Sequence, residues 1–270
     1  MRTTNQREEE ILRELTRVGG SCRVSILAKQ LEVTNETIRR NVRNLEDRNI
    51  VRKVHGGVHL VEDILEPTLE SRLDKGISAK EKLAKAVADT ISDGDSVFLD
   101  IGSTTAYVAL ALQGHSDLMV VTNSTFVANT LATRNNNRVF LAGGELRTHD
   151  GGAFGMEARD LVGRLNVRFA IFSVGAVNAD IGFMLHDLQE ANIARIAIEN
   201  AQVRVIVADG EKLGKRAPVI LNNTEQIDLL FTDTHPSQDI CQMLERNEID
   251  LIVVEQGFDT GVQPHFGGPI

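Results

Sequence analysis

Apolar positions in the first sixty residues recur at helical spacing. Ile11, Leu12, Leu15 and Val18 follow the i, i+1, i+4, i+7 rhythm of an amphipathic helix, so a helix is predicted over 6–18, ended by Gly19-Gly20. Val24, Leu27, Ala28 and Leu31 predict a second, shorter helix, after which Glu32-Val33-Thr34 turns the chain. Counting on from Thr34 as an N-cap, Ile38, Val42 and Leu45 share one face. That count leaves Asn35, Glu36, Thr37, Arg39, Arg40, Asn41, Arg43 and Asn44 off the apolar face. The next segment, IVRKVHGGVHL, alternates apolar and polar residues, and Gly56-Gly57 gives it a hairpin turn flanked by Arg52, Lys53 and His55.

Further along, the period changes. Short apolar runs at 96–101, 118–121, 138–142, 168–175, 203–208, 228–232 and 250–255 alternate with helical patterns at 80–91, 104–113, 124–133, 186–201 and 236–246. Such alternation predicts an α/β domain with a largely parallel sheet covered on both faces. The stretch 61–79 is polar, contains Pro67 and keeps no period; residues 257–270 are rich in Gly and Pro. The expected organisation is a reader at 1–60, a linker at 61–79, a ligand-binding effector domain at 80–256 and a loose tail at 257–270.

Charge divides along the same line. Residues 1–60 hold 12 Lys and Arg against 8 Asp and Glu, whereas 61–270 hold 17 against 30, within an overall net charge of −9. A basic module on an acidic body still holds a polyanion, because charges beyond about 8–10 Å are largely screened. Composition is that of a soluble globular chain, with 42% hydrophobic residues and 5 prolines. No apolar stretch approaches membrane-spanning length and MRTTNQREEE has no signal-peptide core, so a cytoplasmic protein is expected. Cys22 and Cys241 lie far apart and are expected to be free thiols.

Helix, short helix, tight turn and an Arg- and Asn-rich third helix suit insertion into the DNA major groove, with a basic hairpin beside it as a wing. Arginine offers a bidentate fork to guanine and asparagine to adenine. The candidate DNA contacts are Asn35, Thr37, Arg39, Arg40, Asn41, Arg43, Asn44, Arg52, Lys53 and His55. In the body, strand ends carry small, polar and basic residues suited to anions at helix N-termini: Gly102, Ser103, Thr104 and Thr105, then Thr122 and Asn123, then Gly143, Gly144 and Arg147, and later Lys212, with the carboxylates of Asp100 and Glu190 suited to sugar hydroxyls as further ligand-binding candidates. Carboxylates at Asp100, Glu145, Asp187, Glu190 and Asp209 also leave open an enzymatic reading, with one of them as base or nucleophile. The segment GEKLGKRA is one residue short of a nucleotide phosphate loop, and Gly56-Gly57 between His55 and His59 precludes a helical metal pair. Neither cofactor nor metal is expected.

The segment TNETIRRNVRNLEDRNIVRKVHGGVHL resembles the winged helix-turn-helix of the DeoR family of bacterial sugar-operon regulators. In serial order, SVFLDIGSTT, VTNS, LAGGELR, GAVNADIGF, LQEA and ADGEKLGKRAP resemble that family's effector domain, itself similar to the ribose-phosphate isomerase and CoA-transferase fold. The resemblance spans about residues 5–255. It implies a transcriptional regulator, most often a repressor, that binds double-stranded operator DNA as a homo-oligomer (dimer or tetramer) and answers to a phosphorylated sugar. The alternative the fold resemblance implies is a sugar-phosphate isomerase or CoA-transferase-like enzyme with an appended DNA-binding module. Three positions depart from the family pattern: Asn41 replaces the usual aspartate after the paired arginines, Ala194-Arg195 the usual basic pair, and Glu211 the residue before the family lysine. The first is expected to alter half-site choice or be tolerated, and the others bear on ligand identity.

Overall fold

In the computed structural model, residues 6–17, 21–48, 50–54, 56–60 and 68–254 are described. Two compact units meet in the chain at Pro67 and Thr68.

The first unit opens with α1 (Gln6–Arg17), then β1 (Ser21–Arg23), α2 (Val24–Gln30), α3 (Asn35–Asp47), β2 (Val51–Val54) and β3 (Gly57–Leu60). Its core is built by the predicted apolar faces, with Ile11, Leu15, Leu27, Ile38 and Leu45 fully buried. Thr34 is the α3 N-cap, its Oγ1 accepting from the Thr37 N–H at 3.2 Å. The hairpin β2–β3 is antiparallel with Val54 opposite Gly57, and Gly56 at φ +76° supplies the left-handed residue such a tight turn requires. Strand β1, which the sequence reading did not anticipate, adds to the free side of β3 and completes a sheet of order β1-β3-β2. It is only three residues long, too short for alternation to register.

The second unit runs α4 (Leu69–Leu73), α5 (Ile77–Ala88), β4 (Ser96–Leu99), α6 (Ser103–Ala111), β5 (Met119–Thr122), α7 (Thr125–Leu131), β6 (Arg138–Leu141), α8 (Met156–Gly163) and β7 (Val167–Ser173). It continues with β8 (Ala176–Asn178), β9 (Gly182–Leu185), α9 (Leu188–Glu199), β10 (Ala201–Val207), β11 (Val219–Ile220), β12 (Leu229–Thr232), α10 (Gln238–Arg246) and β13 (Asp250–Val253). Seven strands, one for each apolar run, form a parallel sheet of order β13-β12-β10-β7-β4-β5-β6. Alternate residues feed opposite faces: Phe98, Val121, Phe172 and Ile206 pack with α8, α9 and α10, while Leu99, Val120, Ile171 and Val207 pack with α4, α5, α6 and α7. Helix α8 and the small antiparallel sheet β11-β9-β8 were not anticipated.

Chain order around the sheet marks a topological switch point. From β4 the chain moves outward to β5 and β6, then returns to β7 on the other side of β4 and proceeds to β10, β12 and β13. The connections therefore diverge between β4 and β7, the kind of point at which open parallel sheets form a crevice beyond the strand carboxyl ends. Within the stretch expected as a linker, residues 69–73 form α4, with Leu69 and Leu73 buried in the second unit's core.

Candidate functional site

Helix α3 presents the candidate DNA contacts unequally. Arg39, Arg40 and Arg43 are exposed on the face opposite Ile38, Val42 and Leu45, and Asn35 is also exposed, with Thr37 half-buried. Arg39 makes only a loose 3.8 Å pair with exposed Glu36. A groove lined by Val24, Arg39, Val42, Arg43, Lys53 and Gly57 runs between α3 and the wing. Arg52 is exposed on the wing, and His55 lies outside the described residues.

Three of the expected contacts have other work. Asn41 is buried: it sits roughly 60° from Ile38 and roughly 40° from Leu45 around the helix, inside the packed arc, and its Nδ2 donates to the Thr37 carbonyl at 2.9 Å. The expectation of Asn41 as a direct DNA contact is thereby corrected to a role inside the reader. Asn44 donates to Glu8 Oε1 at 3.2 Å, and Arg48 pairs with Glu8 Oε2 at 2.7 Å, so this side of α3 is tied to α1. Lys53 grips Glu46 through both its ammonium and its backbone N–H, which hold the Glu46 carboxyl below its ordinary pKa. Glu46→Gln is expected to release Lys53 toward phosphate, tightening DNA binding several-fold and steepening the salt dependence by about one unit of log–log slope. A salt series of anisotropy titrations reads both.

In the second unit the loops after β4, β5, β6, β7 and β10 emerge from neighbouring strands, as convergence requires. Asp100 follows β4 and is buried, and the Ser173 N–H at the end of β7 donates to both its oxygens at 3.2 Å. Gly102 caps α6 without a side chain, and Ser103, Thr104 and Thr105 form a buried first turn whose N–H groups have no intrahelical acceptor. The Thr104 hydroxyl and the Asn123 side-chain carbonyl are buried without a hydrogen-bond partner, an expensive condition unless something polar joins them. Thr122 is used locally, accepting from the Ser124 N–H at 3.0 Å.

Arg147 is the most heavily committed cation. Its guanidinium bonds Asp150 and Glu190, reaches Asp187 at 3.4 Å and lies 4.2 Å over the Phe154 ring. Burial disfavours its charge, but the Asp150 bond and Glu190 outweigh that and raise its pKa. The expected fork onto a ligand anion is thus occupied by carboxylates. Gly143 and Gly144 lie in the same loop, Gly144 exposed. Asp150 and Phe154, which the sequence reading missed, carry no period or motif that marks them.

Charges gather around Asp100. Burial lifts its pKa well above the usual carboxylate range, the Ser173 N–H opposes the rise, Glu190 adds to it, and Lys212 lowers it. A carboxyl raised on folding binds a proton in the folded chain that the unfolded chain has released, so it withdraws stability as pH rises from about 4 through its folded pKa. Asp100→Asn, which keeps the Ser173 acceptor, is expected to melt a few degrees higher than the parent at neutral pH, at about 2–4 °C per kcal/mol, with the gap closing toward pH 4. Melting curves across pH check it.

Both halves of this geometry have counterparts in known proteins. Residues 7–63 match the DeoR-like helix-turn-helix domain and residues 75–234 the DeoR C terminal sensor domain. The chain belongs to the DeoR family. Among its DeoR relatives, the glycerol-3-phosphate regulon repressor of Escherichia coli (strain K12) is 33% identical over 246 residues, spanning 91% of this chain and 97% of that protein. The HTH-type transcriptional repressor CsqR of the same organism is 32% identical over 254 residues, spanning 94% and 97%. Among solved structures, ribose 5-phosphate isomerase A from Methanocaldococcus jannaschii shares 18% identity at a TM-score of 0.37, covering 52% of this chain and 55% of its own. This DeoR-family chain is a DNA-binding transcription regulator, and the enzymatic reading is set aside. No helix of the described residues is long and apolar enough to cross a membrane, and no group of three or more His, Cys, Asp or Glu among them is placed to hold a metal ion.

Proposed function

We propose that this chain represses a carbohydrate catabolic operon and that a phosphorylated sugar or related metabolite, bound at the switch-point crevice, releases it from operator DNA. The observation that carries the reading is the nine-residue helix α6 starting at the crevice, beside two buried polar atoms without partners, Thr104 Oγ1 and Asn123 Oδ1. Open backbone N–H groups at a helix start suit a phosphate, and the carboxyl groups of Asp100 and Glu190 suit sugar hydroxyls. Lys212 adds a point charge near Asp100. The relative named for a glycerol-3-phosphate regulon makes glycerol 3-phosphate the first compound to try.

One winged module reads few base pairs, so the repressor acts as a homo-oligomer, a dimer or tetramer, on half-sites about 34–36 Å apart or a multiple of that. A ligand preferring the DNA-incompetent form by ten- to a hundredfold supplies about 1.4–2.7 kcal/mol of coupling, enough for induction. The test is a thermal-shift and calorimetric screen of glycerol 3-phosphate, pentose phosphates and hexose phosphates, each beside its unphosphorylated parent. It is followed by release from a duplex carrying the chain's own upstream region. A phosphorylated compound at a hundred times its Kd is expected to stabilise the fold by ~2.7 kcal/mol and dissociate the complex. Sugar phosphates that neither bind nor release DNA would refute the proposal.

A further inference from the structure

Helix α4 is the first element the described chain forms after leaving the DNA-binding unit, and it is held at both ends. Thr68 caps it, the Leu69 N–H donates to the His149 carbonyl at 3.0 Å, and Leu69 and Leu73 are buried. At its other end side chains bond the carbonyls of the last turn and the residues after it: the Tyr107 hydroxyl reaches Leu73 O at 3.2 Å, and the Lys80 ammonium donates to Arg72 O and to Lys75 O, the latter at 2.6 Å. A cation is the favoured partner for a helix C-terminus.

Each anchor leads to a different wall of the crevice. Tyr107 stands on α6, one turn beyond the Ser103–Thr105 start. His149 adjoins Asp150, which holds Arg147, and its Nε2 lies 3.6 Å from the Asp150 carboxylate. Lys80 is 5% exposed, and burial, with the charge of Lys212 second, lowers its pKa to about 8. An anion seated at the α6 start acts on the helix that carries Tyr107, and one that competes for Arg147 acts on the loop carrying His149.

We infer that α4 is the transmitting element of this regulator: docked through Tyr107, Lys80 and the His149 carbonyl it is the operator-competent state, and crevice occupancy loosens it. The ligand side of this inference rests on the proposed function above; the docking side does not. Such a switch needs only that the ligand bind the loosened form more tightly.

The experiment uses full-length Tyr107→Phe and Lys80→Met, variants that retain most of the buried volume. Hydrogen exchange of residues 68–76 and affinity for the upstream duplex are measured first without ligand. Exchange is expected to accelerate about fivefold or more and operator affinity to fall by a similar factor, with exchange in the strands β4 and β7 unchanged. Faster exchange with affinity within twofold of the parent would make α4 docking merely structural and overturn the inference; so would unchanged exchange in both variants. If one variant fails to fold, the other decides. In the second arm, glycerol 3-phosphate and inorganic phosphate are added to the parent protein. Binding seen by calorimetry without faster exchange at 68–76 overturns the transmission while leaving the proposed function standing. If no sugar phosphate binds, the proposed function falls and the variants alone decide the role of α4.

Discussion

Alanine at both Arg40 and Arg43 is expected to lower operator affinity by about 100-fold or more and to flatten the salt dependence by about two units of log–log slope. The two side chains lie three residues apart on the exposed face of α3, and neither makes an ion pair among the described residues. A bidentate arginine contact to guanine supplies ~1–3 kcal/mol, and each phosphate neutralised contributes about 0.9 to the slope. Because neither residue packs in the core, the melting temperature should not move. Anisotropy titrations at several salt concentrations, beside a melting curve, give all three quantities. Unchanged affinity and slope would remove α3 from the DNA interface.

Gly102→Ala is expected to abolish the response to a sugar phosphate while leaving operator binding intact, a repressor that cannot be induced. A β-carbon at position 102 would stand 2.0 Å from Ser173 Oγ, 3.2 Å from Ser173 Cβ and 3.1 Å from Thr105 Oγ1. Ser173 must rotate or retreat, and its N–H is the group that holds Asp100. The methyl therefore disturbs the end of β7, the start of α6 and the buried carboxyl together. Overpacking of this kind costs about 1–3 kcal/mol, or roughly 3–10 °C in a domain of this size. Calorimetry should show ligand affinity at least about thirtyfold weaker, against operator affinity within twofold. Retained ligand binding would place the anion elsewhere in the crevice.

Most of this architecture is legible in the sequence, for identifiable reasons. The inner strands of the parallel sheet are legible because strands buried on both faces are continuous apolar runs, and the half-exposed edges β6 and β13 keep short runs of the same kind. The long helices followed from their period, and Thr34 as an N-cap from its hydroxyl ahead of an apolar stripe. Elements that escaped were short or weakly patterned: β1 with three residues, β11 with two, and α8, whose buried positions reduce to Ala158 and Val162. At Asn41 helical angle outweighs polarity: the residue falls beside Leu45 and Ile38 on the packed side of α3. A buried asparagine satisfied by the carbonyl four residues back looks, in sequence, like any surface amide. At the crevice, the strand-end loops were legible but not their pairings. Nothing in the letters says that Arg147 is surrounded by Asp150, Asp187 and Glu190, since those contacts join residues up to 43 positions apart.

The Glu8–Asn44–Arg48 tie and the Lys53–Glu46 grip both attach α3 by its flanks. Its outermost arginines are consequently spared any scaffolding duty, so a library randomised at 39, 40 and 43 can be screened for new promoters without first repairing the fold. Retargeting this regulator then becomes a problem of vocabulary, its grammar being kept by the side chains along the flanks of α3.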